Sequence, residues 1–195
     1  MEEKFRYLEH MTDLLVEAYG NTLPELFENS TLGMINAMFD ISNIELNHSL
    51  KIMAQGHDFK SLLYDWIEKI ILSIYIDKMI IVKFDSFSFS KKITNDHMNN
   101  SNNNINNNNN VINTTTLKET ELEEALGLNN ATENSDSKVS EECNCIYKIE
   151  CTGHGDMIDL KKHEYKIEVK SVTYHEMKIK RDKDGHYTSR FLVDL

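Results

Sequence analysis

At 195 residues, 40% of them hydrophobic, and with a mean hydropathy of -0.48, the chain suits one domain, or one domain plus a tail, and is low in apolar residues for a chain folded throughout. A formal net charge of -11 and a pI near 5.2 argue against free nucleic acid as a partner in the absence of a dense basic run, and favour basic protein surfaces or cations. The most apolar run, Ile67 to Val82, carries Glu68, Lys69, Asp77 and Lys78, which excludes it as a membrane span.

The opening Met1-Glu2-Glu3 has no signal-peptide build, and three cysteines without such a signal point to a reducing compartment and free thiols. A soluble monomer of the cytoplasm or nucleus is expected. In chain order, Lys4 to Glu9 and Asp13 to Tyr19 read as strands, and Gly20-Asn21 as turn punctuation. Thr22-Leu23-Pro24-Glu25 is a capping box with proline in the first turn, and Leu26, Phe27, Met34, Ile35 and Met38 recur at helical spacing to about Asp40. Ile44 to Gln55 reads as a strand. Asp58 is the predicted N-cap of a second helix whose buried stripe includes Phe59, Leu62, Trp66 and Ile70. Met79 to Phe84 reads as a strand that Asp85 to Phe89 prolongs.

Composition then changes abruptly. Asn95 to Asn113 is mostly asparagine, and Thr114 to Glu142 is polar and acidic with one amphipathic scrap at Leu117 to Leu128. Such a stretch buries too little apolar area to offset its conformational entropy, so 92–142 is expected to be a disordered insertion between domain parts at 1–91 and 143–195. After it, Cys145 to Cys151 reads as a strand, Gly153-His154-Gly155-Asp156 as a turn, and Tyr165 to Lys180 as one long strand or two. Asp182-Lys183-Asp184-Gly185 reads as a hairpin turn leading into a last strand, His186 to Leu195. The sum is a two-layer α+β domain: a mostly antiparallel sheet of about six or seven strands with two helices.

Several residue groups could carry chemistry. If the first strands neighbour the last, Asp13, Asp194 and the oxygens of Leu195 supply the ligands a hard cation such as calcium prefers; the plainer reading is a solvated aspartate and a frayed end. His10 offers a metal ligand or general base, although a lone histidine beside a strand is more often structural. Cys143, Cys145, Cys151 and His154 list zinc-type donors without a standard zinc spacing. Lys178, Lys180, Arg181 and Lys183 could touch phosphate, and a solvated strand end is the simpler account. No Gly-rich phosphate loop or nucleophile elbow is present, so the residues alone reach an acidic α+β domain with a possible oxygen-ligand cation site.

In order along the chain, His10-Met11-Thr12-Asp13-Leu14, Ala18 to Phe27, Gly56 to Leu63, Gly153 to Asp156, Glu168 to His175 and the closing Asp194-Leu195 together resemble the archease family. The likeness covers almost everything outside residues 92–142. Met11-Thr12 stands where the family has Thr-Ala, and His163 to Glu168 lacks its usual Pro/Gly turn. The resemblance implies a calcium site at Asp13, Asp194 and Leu195. It implies a protein that is not itself an enzyme but an accessory of an RtcB-type RNA ligase, promoting GTP-dependent guanylylation and multiple turnover in tRNA splicing and RNA repair, possibly within a tRNA ligase complex and without stable nucleic-acid binding of its own. A metal-assisted hydrolase with His10 or Asp13 as base, and a chaperone-like interaction module, stand as the other readings.

Overall fold

The computed structural model describes residues 3–93, 114–125, 127 and 145–195. In chain order the elements are β1 (Phe5–Leu8), β2 (Leu14–Gly20), α1 (Leu23–Met38), β3 (His48–Gly56), α2 (Phe59–Tyr75), β4 (Met79–Ile93), β5 (Thr114–Leu117), α3 (Glu119–Ala125), β6 (Cys145–Met157), β7 (Ser171–Arg181) and β8 (Tyr187–Asp194). The class is α+β. The strands divide between two four-stranded antiparallel sheets, ordered β1-β2-β8-β7 and β3-β6-β4-β5, rather than forming one. Helices α1 and α2 each pack against strands of both sheets, and the core lies there.

Both long helices start as the capping chemistry dictates. The Thr22 hydroxyl accepts from Glu25 N at 3.2 Å, while the Glu25 carboxylate reaches back to Asn21 N at 2.8 Å. Asp58 accepts from Ser61 N at 2.7 Å, and Ser61 Oγ takes the Asp58 N–H at 3.0 Å. Between the helices and β4, the fully buried Trp66 meets Phe27 at 5.2 Å and Phe84 at 5.1 Å between ring centroids, and its indole N–H donates to Thr31 Oγ1 at 2.9 Å. Gly33 brings α1 onto β2, since a Cβ there would stand 2.7 Å from Val16 Cγ1.

Three local expectations change. Gly153-His154-Gly155-Asp156 is not a turn but the body of β6, between β3 and β4. The glycines serve close strand approach: a Cβ at Gly155 would lie 1.7 Å from the Ile80 carbonyl oxygen, beside a bulge in β4. The third strand begins at His48, and Leu46 before it is exposed. Residues 165–170 lie outside β7, held to the end of α1 by a bridge between Tyr165 and Phe39 and by Lys166 N donating to Met38 O at 2.8 Å.

Part of the stretch read as a disordered insertion is built into the fold. Lys92 and Ile93 end β4, Thr114–Leu117 pair with it as β5, and α3 follows. Leu122 is fully buried; Glu119 Oε1 accepts from Leu23 N at 2.5 Å, satisfying a first-turn donor of α1. The buried Glu123 carboxylate accepts from the Tyr187 hydroxyl and faces Arg181 Nη1 at 3.2 Å. A short polar segment therefore docks through one leucine and two carboxylates, a signal too sparse for composition to show. The asparagine run, 95–113, lies outside the described residues.

In the first sheet the register sets two faces. Val16, Ala18, Phe191 and Val193 look inward, while Leu15, Glu17, Tyr19, Thr188, Arg190 and Leu192 look outward. On the outer face Glu17, only 5% exposed, ties three strands. Its Oε1 accepts from Arg6 Nη2 at 2.6 Å and from the Tyr19 hydroxyl at 2.6 Å; its Oε2 accepts from Arg190 Nη2 at 2.5 Å. Burial alone would push this carboxyl up, but the hydrogen bonds from Tyr19, Arg190 and Arg6 reverse that and hold it at about 2. An unfolded chain takes up this proton near the ordinary 4.5, so from there down to about 2 the unfolded state holds more protons and stability falls as pH falls. Glu17→Gln should flatten that acid limb and cost about 2 kcal/mol at neutral pH, read by urea unfolding at a series of pH values; an unchanged acid limb would overturn the account.

Candidate functional site

The β2–β8 pairing brings the two ends of the sequence together. Leu14 pairs with Val193, and the same register carried one residue further sets Asp13 across from Asp194 at the sheet's end. Ser171 pairs with Asp194 from the other side, in β7. All three proposed ligand residues, Asp13, Asp194 and Leu195, are half-buried.

The hydrogen bonds leave these carboxylates partly free. Asp13 Oδ2 accepts from the Thr12 hydroxyl at 3.0 Å, with His10 Nδ1 at 3.5 Å. Asp194 Oδ2 accepts from the Ser171 hydroxyl at 2.7 Å, and its main-chain oxygen accepts from Lys170 N at 2.9 Å. Among the described residues, neither aspartate's Oδ1 has a donor, and neither carboxylate is paired with a lysine or arginine. Lys170 Nζ instead donates to Leu195 O at 2.7 Å. Two carboxylates at the same end of neighbouring strands, neither of them on a lysine or arginine among the described residues, are oxygen donors of the kind a hard cation takes. His10, a quarter exposed and beyond good hydrogen-bond distance from Asp13, is poorly placed as a base.

Elsewhere the donor groups are otherwise engaged. Cys151 is buried and its thiol is pushed up to about 12 by burial and by the nearby Asp85, a poor zinc ligand. Cys145 is disulfide-bonded, against the expectation of free thiols, whereas Cys151 is free. His154 Nε2 sits 2.9 Å from Asp85 Oδ2. Asp156 is held down to about 2, chiefly by the hydrogen bond from Lys162 at 2.5 Å. Among the described residues, Asp182, Asp184 and His186 draw their ligand atoms within 4.8 Å, but Asp182 is engaged in the β7–β8 turn, its Oδ1 accepting from Asp184 N and His186 N at 2.9 Å each.

Lys170 and Ser171 were not singled out from sequence; only the alternation after Glu168 hinted that they reach the sheet. The profile of the Archease protein family matches residues 5–125 and 110–195. The chain belongs to the archease family. It is 28% identical over 193 residues to protein archease of Sulfurisphaera tokodaii, covering 99% of each chain. Protein archease of Sulfolobus acidocaldarius is also 28% identical, over 98% of this chain and 99% of its own. The solution structure of Methanobacterium thermoautotrophicum protein 1598 superposes with a TM-score of 0.57 at 26% identity, covering 98% of this chain and 99% of that one. No helix among the described residues of this archease is long and apolar enough to cross a membrane.

Two carboxylates at one end of the sheet have a consequence for stability. In the presence of a chelator, Asp194→Asn removes one of these two negative charges while keeping an acceptor for Ser171, so denaturant unfolding should show no loss and a gain of up to about 1 kcal/mol. A clear loss would mean that hydrogen bonding, not repulsion, dominates there.

Proposed function

We propose that this archease is an accessory protein rather than an enzyme, and that it activates an RtcB-type RNA ligase through a divalent cation held by Asp13, Asp194 and Leu195. The observation that carries the reading is the pair of aspartates at the end of β2 and β8, each with one carboxylate oxygen unengaged and neither on a lysine or arginine among the described residues. Calcium, or another hard divalent ion, would take these oxygens, and bound there it supplies positive charge that cancels the aspartate repulsion. Lys170, just before β7, donates to the Leu195 oxygen, and Ser171, at the start of β7, donates to Asp194, so the proposed ligand set is tied to that neighbouring segment.

A net charge of -11 supports a basic partner surface, such as the RNA-binding cleft of a ligase when RNA is absent. There the site can place a cation beside the ligase metals while the ligase is guanylylated. The hydrolase reading draws little from the geometry, because His10 Nδ1 stands 3.5 Å from Asp13 Oδ2.

Calcium should raise the melting temperature of the wild-type protein and leave that of Asp13→Asn and Asp194→Asn unmoved; at about a hundredfold excess over Kd the gain corresponds to roughly 2.7 kcal/mol. The functional test is GTP-dependent guanylylation of the cognate ligase. Wild type should accelerate it, and Asp194→Ala, folded by circular dichroism, should not. Full stimulation by the variant would sink the cation mechanism, and none by wild type would sink the accessory role.

A further inference from the structure

The outer face of the β1-β2-β8-β7 sheet carries a second feature that no run of sequence displays. Cross-strand register aligns Arg6, Glu17, Arg190 and Lys178 in one row, and Tyr19, Thr188 and Lys180 in the next. Two guanidiniums from two strands thus meet one buried carboxylate, with Lys178 and Lys180 beside them on a third strand. Glu17 holds both guanidiniums still: each arginine commits Nε and Nη2 to it, Arg6 at 3.0 and 2.6 Å and Arg190 at 3.0 and 2.5 Å. Nη1 of each has no acceptor among the described residues. Lys180 makes no ion pair with a described residue, and the exposed Lys178 only approaches Glu176, at 4.0 Å. A cavity of about 330 Å³ opens here, lined by Glu17, Tyr19, Lys178, Lys180, Thr188 and Arg190.

We propose that this cavity binds a compact phosphate-bearing ligand, a polyphosphate either free or as part of a nucleotide. Phosphate oxygens accept from Arg190 Nη1, the Lys178 and Lys180 ammonium groups and the Thr188 hydroxyl. Glu17 is the positioning residue: its charge is answered by Arg6 and Arg190, so it fixes the guanidinium without cancelling the surrounding positive field. Two observations favour a small ligand over a nucleic-acid strand. The cavity lies at the low end of the range for small-molecule sites, and the net charge of -11 repels a long polyanion whose ends leave the local basic patch. The site is built without the aspartate pair and stands or falls independently of the cation reading.

The test is isothermal titration of the full chain with pyrophosphate at about 50 mM salt, without divalent ions, where screening is modest. Saturable one-site binding is expected, weakened about tenfold or more in the double variant Lys178→Ala/Lys180→Ala. Both lysines are exposed at their tips, so the fold should survive their loss, and Lys51→Ala on the other sheet should bind as wild type does. A parallel titration with adenosine diphosphate separates the sources: equal affinity supports a site that reads phosphate alone, and tighter binding supports a nucleotide. Absence of saturable pyrophosphate binding, or binding unchanged in the double variant, would overturn the proposal. So would capture of single-stranded RNA by a surface that ignores pyrophosphate.

Discussion

The pairing of β2 with β8 is the constraint on which the molecule depends. It runs seven residue pairs, Leu14↔Val193 to Gly20↔Tyr187, between segments at opposite ends of the sequence, at the centre of their sheet. Because the side-chain period of a strand is two, this one register decides both faces together. Val16 and Phe191 enter the core under α1; Glu17 and Arg190 meet on the other side; Asp13, just before Leu14, comes to the end of the pair where Asp194 stands. A slip of one residue would turn the apolar set outward and scatter the polar one.

That outer face is graded along the strands. At one end stand two aspartates without a lysine or arginine partner among the described residues, then a row of leucines, Leu15 and Leu192, and then the arginine and lysine rows. The leucines are buried yet lie outside the main core cluster, so they form a local apolar separator between charges of opposite sign. The separation matters because the cations would otherwise neutralise the aspartates directly. Instead the arginines are committed to Glu17, Lys170 to Leu195, and the aspartates keep unengaged oxygens. A chain with net charge -11 thus presents an acidic end and a basic patch on a single surface.

Much of the architecture was legible locally. The caps at Thr22 and Asp58, the helical stripes through Phe27 and Trp66, and the Asp182–Gly185 hairpin follow from short-range chemistry that a few adjacent residues carry. The errors fall where long-range contacts override it. Gly153 and Gly155 look like turn residues, but they clear room for β4 against β6. Leu122 and Glu123 look like part of a polar linker, yet they dock α3 through contacts with Tyr187 and Arg181, more than fifty residues away. The number of sheets could not be read from alternation, which reports that a strand has two faces and not which strand lies beside it.

The sequence by itself determined the family, through the order of its short motifs, and the α+β class, through periodicity and caps that need no distant partner. It also nominated Asp13, Asp194 and Leu195, because carboxylate chemistry is a property of residue type. Only the tertiary structure decided that the two aspartates share one end of a sheet with Lys170 and Ser171, and that Arg6, Lys178, Lys180 and Arg190 form one basic face. The physical reason is that strand pairing joins residues by hydrogen-bond register rather than by distance along the chain, and register exists only once the strands have met.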